Sequence, residues 1–169
     1  MLEKLQNIAH GRGYWLTLAF LGFAFIAVAL YYQYVLEQLP CVLCIQVRLW
    51  IICMILVAVF ALAIKHAWAR RASHVLIVLI AAGLTERSYL LLGTERGFVF
   101  RDCGFELGLP SWLALDDWLP FLFRIEASCG YTPELIAGIT MAQALMAFSS
   151  LLLIISLALT IASFMRRGH

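Results

Sequence analysis

Four stretches of this 169-residue chain are long and apolar enough to cross a bilayer, at residues 14–35, 43–64, 74–92 and 141–165. About 20 residues of helix, rising roughly 1.5 Å each, span some 30 Å of hydrocarbon. Inside that layer every backbone N–H and C=O must find a partner within the chain, so such stretches fold as helices. None contains a proline; Pro40, Pro110, Pro120 and Pro133 all fall between or beside them. The first stretch is too long for the apolar core of a signal peptide. Tyr31, Tyr32, Gln33 and Tyr34 follow where a small-residue cleavage site would stand, so it reads as a retained span. The expected fold is an all-α membrane protein, a single four-transmembrane-helix bundle over residues 1–169 with outer loops at about 36–42 and 93–140. Composition agrees: 13% of residues are charged and 64% hydrophobic, against about 25% charged in soluble domains.

Charge in the connections sets the orientation. Lys4, Arg12, Lys65, Arg70, Arg71, Arg166 and Arg167 all fall on one side of the four spans. The first connection has no basic residue, and the third sets Arg96, Arg101 and Arg124 against a larger number of acidic residues. Basic loops stay in the cytoplasm, so both termini are expected there, and the first and third connections outside. Cys41, Cys44, Cys103 and Cys129 then lie on or near the outer face, where disulfides persist. Cys53, within the second span, reads as a small buried hydrophobe. A net charge of +2 gives no reason to expect a nucleic-acid partner.

The third connection is too long for a simple turn, and such loops are usually functional or disordered. Its aromatic content argues against disorder. Trp112, Leu115 and Leu119 recur at helical spacing, with Asp116 and Asp117 between them. That pattern predicts a short amphipathic helix on the membrane surface; the alternative is a loop folded against the mouth of the bundle.

The chemistry centres on Cys41 and Cys44. A Cys-x-x-Cys pair cycles between dithiol and disulfide, and one thiol is readily activated. A four-cysteine zinc site would repeat the short spacing. Cys103 and Cys129 are far apart in sequence, so no metal is expected. A permanent bridge across so small a loop would stabilise little, which favours redox activity. Arg48 stands four residues after Cys44, on the same helical face. Its charge can favour a thiolate and its N–H groups can hold a carbonyl oxygen, or it can snorkel to the outer headgroups. Glu86 and Arg87 lie at comparable depth in the third span. Adjacent residues do not face each other on a helix, so Glu86 is expected to pair with Arg48, or else with Arg87, and to orient a polar site. Gln33 is a candidate polar contact at the same mouth, among tyrosines that read as an interfacial belt. Cys103 and Cys129 are either a structural disulfide or a pair that exchanges electrons with Cys41 and Cys44. Gly104 and Gly130 beside them favour exchange.

Pro40-Cys-Val-Leu-Cys-Ile-Gln-Val-Arg48 resembles the Pro-Cys-x-x-Cys-x-x-x-Arg signature of the bacterial disulfide bond formation protein B family, DsbB. Gly11-Arg-Gly-Tyr-Trp15 is similar to that family's N-terminal segment, and the run from Pro110 to Pro120 to its second periplasmic loop. The resemblance covers most of the chain. It implies a multi-pass inner-membrane enzyme, a protein-disulfide:quinone oxidoreductase, that reoxidises a periplasmic thioredoxin-fold oxidase of the DsbA type. It implies that electrons enter at a Cys103–Cys129 disulfide, with Cys103 forming the mixed disulfide, and pass to Cys41–Cys44. They leave to a bound quinone, ubiquinone or menaquinone, and so to the respiratory chain. Cys44 would face the quinone, with Arg48 stabilising the thiolate and the quinone. Some members carry a histidine near the outer end of the third span; this chain has Gly93, Thr94 and Glu95 there, and Val47 rather than an acid before Arg48. The polar contacts around the ring are therefore this chain's own, with Glu86 and Gln33 as candidates.

Two rival readings differ in class. A vitamin K epoxide reductase-like enzyme would carry its redox pair at the outer end of the last span, which here has no cysteine. A tetraspanin-like scaffold would need neither the Cys41–Cys44 pair nor Arg48, and its Cys-Cys-Gly motif is absent.

Overall fold

The computed structural model describes residues 11–64, 66–99, 108, 115–127, 132–136 and 138–165. In chain order the elements are α1 (Arg12–Tyr34), α2 (Val42–Ala63), α3 (Ala67–Arg96), α4 (Leu115–Trp118) and α5 (Pro120–Phe123). An antiparallel pair, β1 (Glu134–Ile136) and β2 (Ile139–Thr140), leads into α6 (Met141–Met165). The helices α1, α2, α3 and α6 are each long and apolar enough to cross a membrane, as the sequence predicts. Their outward faces carry Phe20, Leu56, Trp68, Leu79 and Ile154, all exposed. Such surfaces suit hydrocarbon and would be a liability in water.

Packing follows sequence periodicity. On α6 the buried positions include Ala142, Leu145, Ser149, Leu152, Ser156, Leu159 and Ser163, a seam with the alternating three-four spacing of a coiled coil, with Ala162 buried beside its last member. It lies against α3, which buries Ile77, Ala81, Leu84, Ser88 and Leu91 at the same rhythm. Small residues let two backbones approach closely where no hydrophobic force draws helices together. The serine hydroxyls on α6 donate to carbonyls of their own helix, Ser149 to Met146 and Ser156 to Leu153. The other close pairs are α1 with α2 and α2 with α3. Gly22 makes the first of these possible: a Cβ there would sit 2.5 Å from Cγ1 of Ile55. α1 and α6 approach less closely, touching through Phe25 and Phe148, whose ring centroids are 4.4 Å apart.

α3 runs well past the apolar window at 74–92. Helical hydrogen bonding carries it through Arg70 and Arg71 at one end and Glu95 and Arg96 at the other. Gly97, at φ 75°, stops it by turning left-handed, its N–H bonding back to the carbonyls of Gly93 and Thr94.

The expected surface helix is broken. Trp112 lies outside the described residues, and Leu115–Trp118 and Pro120–Phe123 are two separate turns. Pro120 has no N–H to continue the first turn and instead opens the second. The Tyr34 hydroxyl donates to the Phe121 carbonyl at 2.8 Å, and Phe123 is buried. The segment is thus folded against the bundle mouth, while Trp118, Leu119 and Phe121 remain exposed on its outer side. The β1–β2 hairpin was not expected. Gly138, at φ 80°, makes its turn. The Glu95 carboxylate pins it to the end of α3 by accepting from the hydroxyls of Thr132 and Thr140.

Candidate active site at the Cys41 mouth

Pro40 leads the chain out of the first connection, and Cys41 caps α2. The Cys41 backbone is extended, and its Sγ accepts the Cys44 N–H at 3.3 Å. A sulfur here meets the positive end of the helix dipole. The Sγ atoms of Cys41 and Cys44 are 2.7 Å apart. A disulfide needs about 2.05 Å, so a small side-chain rotation would close one. The hydrogen bond offered by the Cys44 thiol holds the Cys41 thiol below the ordinary cysteine range, against the opposing effect of its burial. Cys53, also a free thiol, lies on α2 away from this pair and packs at the edge of the core.

Arg48 is buried, at 5% exposure, which excludes the snorkelling alternative. Its Nη1 donates to Gln33 Oε1 at 2.6 Å and to the Leu122 carbonyl at 3.2 Å, and its Nη2 to the Ala29 carbonyl at 3.3 Å. No carboxylate forms an ion pair with it among the described residues. The charge is instead solvated by three dipoles from α1 and α5, which leaves part of its donor capacity for another acceptor. Gln33, buried near the end of α1, serves the site by holding Arg48.

Cys44 and Arg48 share a crevice. Phe25, Ile26 and Ala29 of α1, Val47 and Ile51 of α2, and Met141 and Leu145 of α6 complete most of its wall. It exists because α1 and α6 do not close on each other. Its free space is about 60 Å³, narrow and open on one side. An apolar slot with one thiol and one cation suits a flat, lipophilic group bearing carbonyl oxygens.

Glu86 does not pair with Arg48. It is half exposed and bonds its neighbour, Glu86 Oε2 to Arg87 Nε at 2.9 Å. This corrects the expectation that adjacent residues would not satisfy each other. Both side chains are long enough to bend together, and in apolar surroundings an unpaired charge costs more than a bent rotamer. Arg87 Nη1 also donates to Gln46 of α2 at 3.0 Å. Glu86 does not line the crevice that holds Cys44 and Arg48.

Cys103 and Cys129 lie outside the described residues. The chain leading to Cys129 is nonetheless anchored beside Cys41. The N–H groups of Glu126 and Ala127 donate to the Pro40 carbonyl at 3.0 and 3.2 Å, and Ala127 pairs with Cys41 in a parallel bridge. Two residues of chain reach at most about 7 Å, and Cys129 is two residues past Ala127. Neither this bridge nor the Leu122 carbonyl on Arg48 had a signal in the sequence. Among the described residues no cluster fit for a metal ion occurs.

Membrane-length helices with a Cys-x-x-Cys pair capping one of them, and a buried cation one turn below, define a membrane-embedded thiol–disulfide redox protein. Comparison with known proteins narrows the class. The family model for disulfide bond formation protein DsbB matches residues 11–159. Disulfide bond formation protein B of Pectobacterium atrosepticum is 34% identical over 175 residues, covering 96% of this chain and 93% of its own. The protein of that description from Haemophilus influenzae is 31% identical over 169 residues, covering 96% and 93%. That from Shewanella amazonensis is 32% identical over 155 residues, covering 90% and 92%. The chain belongs to the DsbB family: it is a multi-pass bacterial inner-membrane protein of disulfide bond formation, with oxidoreductase chemistry.

Proposed function

We propose that this chain reoxidises a periplasmic thioredoxin-fold oxidase of the DsbA type and passes the electrons to a membrane quinone. The observation that carries this reading is the apolar crevice walled on one side by Cys44 and Arg48. Both termini would lie in the cytoplasm and the Cys41 mouth at the periplasmic face, in keeping with the distribution of lysine and arginine.

Two exchanges carry the electrons inward. The reduced partner's thiolate attacks the Cys103–Cys129 disulfide at Cys103, and resolution of that mixed disulfide releases oxidised partner and a Cys103/Cys129 dithiol. This dithiol then reduces a Cys41–Cys44 disulfide and is itself reoxidised. The pairing of Ala127 with Cys41 supports the second exchange, because it keeps the chain that bears Cys129 near the sulfur to be attacked. Attack at Cys41 forms the mixed disulfide there and releases Cys44 as the leaving thiolate, in the crevice it shares with Arg48.

When bound, a quinone such as ubiquinone or menaquinone supplies the acceptor for two electrons and two protons, which returns Cys41–Cys44 to the disulfide. Arg48 would donate to a carbonyl oxygen with N–H groups not committed to Gln33, Leu122 and Ala29. Phe25, Ile51 and Leu145 would exclude water around it. A partner as oxidising as DsbA, near −120 mV, needs an acceptor of comparable or higher potential.

The test is quinone reduction by purified protein with a reduced DsbA-type partner, beside Cys44→Ser and Cys103→Ser variants. Turnover that both variants lose supports the pathway; turnover that survives either one contradicts it.

A further inference from the structure

The β1–β2 hairpin borders two spaces. One is a polar cavity of about 550 Å³, lined in part by Tyr32, Glu95, Thr132, Glu134 and Thr140. The other is the crevice of Cys44 and Arg48, and Leu135 of β1 is part of its wall. The register accounts for the difference between Leu135 and its neighbour. Glu134 pairs with Thr140 and Ile136 with Ile139, so Leu135 is the extra residue of a β-bulge. A bulge leaves one residue outside the ladder and re-aims its side chain, and bulges concentrate beside active sites.

The hairpin is held in place from α1, α3 and α6. The Tyr32 hydroxyl of α1 donates to the Glu134 carbonyl at 3.3 Å. The Glu95 carboxylate at the end of α3 accepts from the hydroxyls of Thr132 and Thr140, the latter at 3.1 Å. The Thr140 hydroxyl also accepts the Gln143 N–H at 3.4 Å, and Gln143 Oε1 accepts the Thr140 N–H at 3.4 Å. That reciprocal pair is the capping box of a helix start. Met141, next in the chain, lines the crevice with Leu135. One carboxylate on α3 therefore holds both the bulge and the first turn of α6 in register, although Glu95 itself does not line the crevice.

We infer that Leu135 is a specificity-determining residue of the crevice, setting the breadth of the ring it accepts, and that Glu95 is the residue that positions it. The inference rests on the reading of the crevice as a quinone site. Arg48 can fix a carbonyl oxygen, a feature that quinones share, so discrimination between rings falls to the apolar wall. A change of one or two carbons against such a wall alters selectivity about ten-fold or more. It does so only where the wall is held in place, which is what the bonds from Glu95 provide.

The test measures binding without turnover, by isothermal titration calorimetry of the full chain in its oxidised form. The ligands are a naphthoquinone and a fully methylated benzoquinone carrying the same short alkyl tail, which differ by the fused ring. Relative to wild type, Leu135→Ala should shift the ratio of the two Kd values about ten-fold toward the naphthoquinone, and Leu135→Phe about ten-fold toward the benzoquinone. Each ratio is taken within one variant, so a partly folded preparation does not alter it. Glu95→Ala should weaken binding of both quinones about five-fold, and Glu95→Gln, which keeps an acceptor for the threonine hydroxyls, should restore most of it. Bound quinone should also slow amide exchange at residues 134–136 in wild type, and less so in Glu95→Ala. A Kd ratio that neither Leu135 substitution moves would overturn the role of Leu135, and unchanged binding in folded Glu95→Ala that of Glu95. Wild type that binds neither quinone would instead overturn the functional reading, and this inference with it.

Discussion

Gln33 Oε1 accepts from Arg48 Nη1 at 2.6 Å, a bond that joins the last turn of α1 to the second turn of α2 directly behind the cysteine pair. It lets a full charge sit in the bundle with no ion-pair partner among the described residues. Gln33→Leu would strip that charge of its shortest partner. Unmet buried donors cost about 1–3 kcal/mol. Thermal unfolding should register a loss of that order, and quinone reduction should fall with it. Gln33→Glu should keep the link.

Arg48 reaches acceptors on α1 and α5 at once through two nitrogens. A lysine ammonium is a single point and cannot make that fork. For Arg48→Lys, kcat/KM for quinone should drop about tenfold, equivalent to one charge-assisted hydrogen bond of about 1.5 kcal/mol. The rate of exchange between the partner and Cys103–Cys129 should not change, and stopped-flow measurement of each half-reaction separates the two.

The Cys41 thiol is held low chiefly by the hydrogen bond from Cys44, while burial pushes the other way. Cys44→Ala removes the donor and leaves the burial, so Cys41 should titrate higher in that variant. Thiolate ultraviolet absorbance against pH, in reduced protein lacking Cys53, Cys103 and Cys129, reads the change. The sign for stability follows: with the folded value below the unfolded one, thiolate formation stabilises the reduced fold above the ordinary thiol range. That contribution disappears as pH falls through the lowered value.

Gly22 allows α1 to lie against Ile55, with a Cβ contact of 2.5 Å in prospect. Gly22→Ala should lower stability by about 1–3 kcal/mol through overpacking. Ile55→Ala should recover part of that loss in a double-mutant cycle of melting temperatures, because the clash is with its side chain.

Glu95 ties the β1–β2 hairpin to α3 through the hydroxyls of Thr132 and Thr140. In Glu95→Ala both hydroxyls lose their acceptor. Amide hydrogen exchange should then quicken at residues 134–140 and stay unchanged in the α3–α6 seam.

The spans and the cysteine pair were legible because their cause is local: apolar length, proline position, a four-residue spacing. Arg48 was legible as a costly charge, but its solvation was not. Ala29, Gln33 and Leu122 come to it from other elements, two of them as backbone carbonyls that carry no residue signature. The hairpin was hidden for a similar reason, since its anchor is a glutamate on α3 far away in sequence. Glu86 pairs with Arg87, one of the two partners open to it, and not with Arg48; the sequence could not choose between them because a rule about helical faces says nothing of how far two long side chains can bend.

In the proposed pathway the Cys41–Cys44 dithiol gives its electrons to a quinone in the crevice beside Arg48. The most direct test uses a Cys103→Ser/Cys129→Ser variant, reduced, freed of reductant and mixed anaerobically with quinone. Thiols and quinone are then counted together. One Cys41–Cys44 disulfide should form for each quinone reduced, with no partner present. Thiols that persist while quinone remains oxidised would contradict it.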